Sequence, residues 1–315
     1  MMTENSFVPE QDRRCGFVAL IGAPNVGKST LLNQMVGAKV SIVSRKVQTT
    51  RSRITGIAMV GPAQIIFVDT PGIFVPQRRL DTAMVAAAWG GAEDADLVVL
   101  LIDAERGIDA NTDKILTSLA ESGRSAILAI NKIDAVKKET LLRLTQKLSE
   151  RGEFAEMFMI SALTGDGVGD LKSWLAAHVL PGPWHYPEDQ LSDISERLLA
   201  SEITREKIYD RLHQELPYAT TVETEEWKEK PDGSVRVSQV IYVQRKSQKP
   251  IVLGKGGRMV GEIGKASRLE LEEFLGRRVH LFLFVKIREG WIDDPERYRE
   301  MGLDFPTSAP SGKKG

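Results

Sequence analysis

The sequence predicts an α/β fold, a mostly parallel sheet with helices on both faces, followed by a smaller α+β unit. Three observations carry this expectation. Strand-like and helix-like runs alternate from about residue 15 to 180. A glycine loop joins the first strand to the first helix. The stretch Pro181-Gly182-Pro183-Trp184-His185-Tyr186-Pro187 then breaks the rhythm, and the runs beyond it come in another order.

Taken in order, strands are expected at Phe17–Ile21, Ile54–Val60, Ile65–Asp69, Leu97–Asp103, Ala126–Asn131 and Phe158–Ser161. Helices are expected at Ser29–Val36, Asp81–Ala92, Asn111–Ser122, Glu139–Arg151 and Gly169–His178. Gly61-Pro62-Ala63-Gln64 is too short for a crossover and reads as a hairpin, which makes one strand antiparallel. In such sheets ligands bind at the carboxyl ends of the strands, so the loops there are where chemistry is expected.

The first of these loops is Gly22-Ala23-Pro24-Asn25-Val26-Gly27-Lys28-Ser29, with Thr30 behind it. Gly22 and Gly27 let several backbone N–H groups converge, and the helix starting near Lys28 adds its positive end. A phosphate chain fits that cradle. Lys28 would reach the β- and γ-phosphates, and the Ser29 hydroxyl would ligate Mg²⁺. Asp69-Thr70-Pro71-Gly72 ends another strand; its carboxylate can hold Mg²⁺ through water, and the Gly72 amide can bond a γ-phosphate. Asn131-Lys132-Ile133-Asp134 follows a third. The Asp134 carboxylate can accept from guanine N1–H and N2–H₂, donors that adenine lacks, while the Lys132 stem covers the base. Ser161-Ala162-Leu163 can present an N–H to guanine O6.

These four motifs, in this order and at these separations, resemble those of translation-factor-class GTPases. The resemblance implies a phosphate-loop GTPase domain, GTP and GDP as ligands, and Mg²⁺ on Ser29, Asp69 and a switch-loop threonine. Lys46-Val47-Gln48-Thr49-Thr50-Arg51 is similar to that switch loop; Thr49 and Thr50 both remain candidates, with Thr50 favoured. One departure bears on mechanism. The place where small signalling GTPases carry a water-orienting glutamine holds Ile73, followed by Phe74. In similar GTPases with an apolar residue there, the phosphate-loop asparagine, here Asn25, helps hold K⁺. The resemblance thus implies slow, K⁺-stimulated hydrolysis in which Asn25, Lys28, Thr50 and Gly72 take part.

After the break, a long helix is expected over Asp193–Glu215, then strands at Thr220–Glu229 and Ser234–Gln244 around the turn Lys230-Pro231-Asp232-Gly233. A helix from Lys265 to Leu275 and a strand Val279–Arg288 close the pattern. Between them, Gly254-Lys255-Gly256-Gly257 is a helix–GxxG–helix junction of the kind that lets a nucleic-acid backbone come close. Lys255, Arg258, Lys246 and Lys249 supply local positive charge, and Ile251 and Leu253 offer an apolar floor for splayed bases. The order of elements resembles a type II KH domain. With the GTPase motifs in front and the Tyr186-Pro187-Glu188-Asp189-Gln190 join between, residues from about 15 to 295 resemble the Era family of bacterial GTPases. That resemblance implies binding to the single-stranded 3′ end of small-subunit (16S) ribosomal RNA and a switch role in assembling the 30S subunit. It also implies a minor pool at the inner membrane surface. A competing expectation is an RNA chaperone whose hydrolysis is incidental.

Bulk properties agree with this. At 315 residues the chain fits two domains, read as 15–180 and 193–295 with a linker at 181–192 and tails at 1–14 and 296–315. A hydrophobic content of 42% and a charged content of 27% place it among ordinary globular proteins. The net charge of −1 means that any RNA-binding surface is local. The single cysteine, Cys15, excludes an internal disulfide framework and reads as a packing residue. His178, His185, His213 and His280 lack metal-ligand spacing. With neither a signal peptide nor a membrane-length apolar run, the chain is read as cytoplasmic; a monomer is expected, although no residue pattern in the sequence fixes the oligomeric state.

Overall fold

In the computed structural model, which describes residues 8–44, 46, 49–51, 53–213 and 216–306 (backbone only at 292 and 300), β1 (Arg14–Gly22) is the strand around which the first unit is built. It pairs in parallel with β3 (Ala63–Asp69) on one side and β4 (Leu97–Asp103) on the other. β2 (Ile54–Val60) joins β3 antiparallel through the expected hairpin. β5 (Ala126–Asn131) and β6 (Phe154–Met159) extend the parallel side, for an order β2-β3-β1-β4-β5-β6. The inner strands carry continuous apolar runs, Phe17–Ile21, Ile65–Val68, Val98–Ile102 and Ala126–Ile130, because both faces are covered. α1 (Lys28–Val36) packs on Gly56, whose register partner is Phe67; α2 (Arg79–Asp94) packs through Gly91 on the next residue, Val68. Successive residues of a strand face opposite sides, so the two helices cover opposite faces. α3 (Ala110–Ser122), α4 (Lys138–Ser149) and α5 (Val168–His178) complete the unit.

The last strand differs from expectation. β6 runs over Phe154–Met159 rather than 158–161, and Ser161 lies beyond it. As an edge strand it is half-exposed, so its polar Glu156 breaks the apolar run by which inner strands are read.

The connector is a strap on the first unit. Its residues to Asp193 group with that unit. The buried Gln64 side chain accepts from the N–H groups of His185 (2.8 Å) and Tyr186 (3.0 Å) and donates to the Tyr186 carbonyl (2.8 Å). The Trp184 indole donates to the Pro62 carbonyl, and the His185 ring lies against Phe17. Ser192 forms a bridge with Gly56 on edge strand β2, covering part of that edge.

The second unit holds residues 194–300 together with 42–49. α6 (Glu196–Arg211) is shorter than the expected 193–215: Ser195 caps its start by accepting the Leu198 N–H, and Leu212 is already extended; Gln214 and Glu215 lie outside the described residues. β7 (Thr220–Glu229) and β8 (Val235–Val243) pair antiparallel, and β9 (Val279–Ile287) joins β8 in parallel. α7 (Gln248–Leu253) and α8 (Arg258–Leu275) cross between β8 and β9. α8 begins at Arg258, seven residues before the expected Lys265. Gly261 and Gly264 depress local helix propensity, yet the buried Ile263 anchors that turn, and Gly264 packs against Leu283. Two small cores result, one around Ile208, Ile241 and Val252, the other around Leu199, Val237 and Leu271.

The C-terminal tail expected from residue 296 starts later. α9 (Pro295–Glu300) belongs to the second unit with Tyr298 fully buried, and Leu303 is buried in the first. Residues 1–7 of the expected N-terminal tail and 307–315 of the C-terminal one lie outside the described residues.

Candidate functional sites

β1 ends at Gly22 and α1 begins at Lys28, so the predicted loop lies at the carboxyl end of the central strand. Gly27 has φ 103°, and a Cβ there would lie 2.2 Å from the Asn131 side-chain nitrogen. Only glycine fits. The Lys28 ammonium is buried and donates to the carbonyls of Gly22 and Ala23, each at 3.1 Å. Burial lowers its pKa to about 8, against the opposing pull of the Asp69 charge.

Beside it, hydroxyls gather on one carboxylate. Ser29 donates to Asp69 Oδ2 at 2.6 Å, and Ser41 lies 3.0 Å from the same oxygen. Thr50 Oγ1 lies 2.9 Å from Ser29 Oγ and 3.3 Å from Asp69 Oδ2. The Thr49 hydroxyl instead donates to the Lys46 carbonyl, and its own carbonyl accepts from Arg205 on α6, so Thr50 is the threonine at the cluster. Val47 and Gln48 of the switch-like stretch lie outside the described residues. Burial raises the Asp69 pKa, opposed by Lys28 and by the three hydroxyls. Asp69 Oδ1 is buried without a hydrogen-bond partner. A carboxylate and hydroxyls with one oxygen unsatisfied form a hard donor set that fits Mg²⁺. Ser41 has no signal in the sequence; it is an isolated serine made relevant by the fold.

Of the residues after Asp69, Thr70 donates to the Leu20 carbonyl, and Pro71 is buried. A Cβ on Gly72 would sit 2.9 Å from Pro24 Cα, so the two loops touch there. Ile73 donates its N–H to the Gly22 carbonyl and packs into the core.

Asn131 ties three motifs together. Its side chain donates to the Val26 carbonyl (2.7 Å) and accepts the Ala162 N–H (2.9 Å). Lys132 has φ 66°, and its ammonium lies 2.6 Å from Asp103 Oδ2. Ile133 leans on the core while Asp134 is exposed in the short turn Ile133–Ala135. Ser161 and Ala162 are buried, and Leu163 is 77% exposed at the rim. Thr30 is half-buried on α1.

In the second unit, Gly254, Gly256 and Gly257 have φ values of 72°, 62° and 80°. At Gly254 a Cβ would also lie 2.7 Å from that of Met259, which forces glycine where α7 meets α8. Ile251 is exposed and Leu253 half-buried, above the buried Val252. Lys255, Arg258 and Lys246 are exposed and Lys249 half-buried; Arg258 pairs with Glu262 at 2.9 Å. α8 starts immediately behind this loop, so its free N–H groups face the same region as the cations.

Comparison with known proteins places both units. Residues 17–132 match a family described as 50S ribosome-binding GTPase, and residues 215–292 match the KH domain family. The chain is 61% identical over 306 residues to GTPase Era of Bradyrhizobium sp. strain BTAi1, spanning 97% of this chain and 99% of that one. It is 62% identical over 294 residues to GTPase Era of Brucella suis biovar 1, spanning 93% and 94%. Among solved structures, Aquifex aeolicus Era bound to GDP·AlF₄⁻ aligns with a TM-score of 0.87 at 38% identity, over 92% of this chain and 99% of that one. A crystal structure of Era with MgGDPNP and nucleotides 1506–1542 of 16S ribosomal RNA aligns with the same score, identity and coverage.

Proposed function

The chain belongs to the Era family of GTPases, and from that premise we propose that it is a nucleotide-timed RNA-binding switch acting on the small ribosomal subunit. Residues 22–30, 69–73, 131–134 and 161–163 bind GTP and GDP. Ile251, Leu253 and Gly254–Arg258 grip the unpaired 3′ end of small-subunit ribosomal RNA. The observation that carries this reading is the pairing, in one chain, of the Ser29–Thr50–Asp69 oxygen cluster with a GxxG loop at a helix start. The Era crystal structure with MgGDPNP and 16S nucleotides supports it.

In this reading Lys28 and the loop amides neutralise the phosphates. Ser29 and Thr50, with Asp69, hold Mg²⁺, which when bound offsets charge on the β- and γ-phosphate oxygens. Asp134 selects guanine, and the Gly72 amide bonds the γ-phosphate. Ile73 is apolar and cannot orient water, so hydrolysis depends on groups that stabilise charge. The Asn25 carboxamide supplies an oxygen of the kind K⁺ takes, and turnover of GTP in KCl is expected to exceed that in NaCl at equal ionic strength. Equal rates, or an unchanged K⁺ response in Asn25→Ala, would contradict that part.

The test of the whole reading is crosslinking of the full chain to RNA in its GTP and GDP states, with sequencing of bound fragments. Fragments from the small-subunit 3′ end are expected; fragments scattered over the transcriptome contradict it. Ile73 in the glutamine's place also favours a second reading, in which hydrolysis is incidental. It predicts that a GTP-binding, hydrolysis-dead variant sustains subunit assembly. Cytoplasmic location, monomeric state and a peripheral pool at the inner membrane belong to the proposal and are checked by fractionation and sedimentation. No helix among the described residues is long and apolar enough to cross a membrane.

A further inference from the structure

Among the described residues, two that are not glycine hold a left-handed backbone: Asn25 (φ 64°) and Lys132 (φ 66°). One lies in the phosphate loop, the other in the base loop. Such conformations persist where the surroundings over-determine them. A single carboxylate stands behind both. Asp103, the last residue of β4, is 2% exposed, and its Oδ1 accepts the Glu105 N–H at 2.9 Å. Its Oδ2 takes the Lys132 ammonium at 2.6 Å and lies 3.7 Å from Arg106 Nε. Arg106 Nη1 then donates to the Pro24 carbonyl at 3.2 Å.

That carbonyl belongs to the peptide joining Pro24 to Asn25, which is trans. In a trans peptide the N–H points opposite to the C=O. A guanidinium holding the carbonyl therefore fixes which way the Asn25 N–H points and resists a flip of the peptide. Gly72 lies against Pro24, so this peptide sits at the γ-phosphate end of the loop.

We propose that Asp103 and Arg106 are positioning residues for the nucleotide, joining the strained turn of the phosphate loop to the strained turn of the base loop. This rests on the reading that residues 22–29 hold the phosphates. Without it, the half-exposed Arg106 would be an ordinary surface ion pair of little consequence.

The experiment measures Kd for GDP and for GDPNP, kcat for GTP, and Tm in the full chain. In Arg106→Ala, Kd for GDPNP is expected to rise about tenfold and kcat to fall about tenfold, the loss of one charged hydrogen bond. Kd for GDP should change less than about twofold, and Tm should move by only about 2 °C, as for a surface substitution. Arg106→Lys, which keeps a donor for the carbonyl, should recover part of the GDPNP affinity. Because Asp103 is buried and its variants risk misfolding, the two Arg106 variants carry the test. No change, or equal losses for both nucleotides, overturns the proposal. If Lys28→Ala retained tight GTP binding, the phosphate-loop reading itself would fail instead.

Discussion

Lys28 is a buried ammonium with a pKa of about 8, well below the 10.5 of a free lysine. The unfolded chain holds this proton up to about pH 10.5, the folded nucleotide-free chain only to about 8. The folded state is thus penalised below pH 8, and the penalty fades as pH rises from 8 toward 10.5. Phosphate oxygens act in the opposite direction and favour the charged form. GDP binding at pH 8.5 should therefore take up protons to a greater extent than at pH 7, and affinity should fall as pH rises past about 8. Calorimetry in two buffers of different ionisation enthalpy reads this directly; no uptake at pH 8.5 contradicts it. Residues of this kind were legible because phosphate chemistry demands them at fixed spacing. Thr50 could not be told from Thr49, since adjacent residues differ only in which way the loop turns them. Ser41, Asp103 and Arg106 were invisible, because each gains its role from a strand end or turn brought near by the sheet.

At the scale of elements, Gln64 and the Gly254 junction are the points most exposed to substitution. Gln64→Leu leaves the His185 and Tyr186 N–H groups without their acceptor under the connector. The first unit should lose about 2–4 kcal/mol, read as earlier release of bound GDP on urea unfolding. A loss under about 0.5 kcal/mol would mean the strap contributes no stability. Gly254→Ala places a methyl group against Met259 at a positive φ. It should destabilise the α7–α8 junction by about 1–3 kcal/mol and weaken RNA binding, with GDP affinity unchanged. Unaltered hydrogen-exchange protection in α7 and α8 would contradict this. Elements with strong periodicity were legible to within a few residues. β6 was not, because Glu156 interrupts its apolar run near the start of the strand. The first two turns of α8 were hidden by Gly261 and Gly264, whose low propensity tertiary packing overrides. Trp184, His185 and Tyr186 of the connector make contacts on the first unit, with Pro62, Phe17 and Gln64, that no spacing in the sequence announces.

For the whole molecule, fold class followed from the alternation of elements and from the break at Pro181, and these survive local error. α9 was missed because six residues rich in charge carry one buried anchor, Tyr298, too little to register as a pattern. The function proposed here depends on the two units having separable grips, one for guanine nucleotide and one for unpaired RNA. A chain with net charge −1 can bind RNA only through a local cluster, so removing that cluster should abolish one grip and spare the other. The most direct test is fluorescence anisotropy of a small-subunit 3′-end RNA fragment with the full chain and with its Lys255→Ala/Arg258→Ala variant, over a range of salt. The variant should bind about tenfold more weakly at physiological salt, with a log–log salt slope shallower by about 1.4, while GDP affinity stays unchanged. Equal RNA affinity and equal salt slope in the two chains would contradict the assignment of the GxxG loop to RNA.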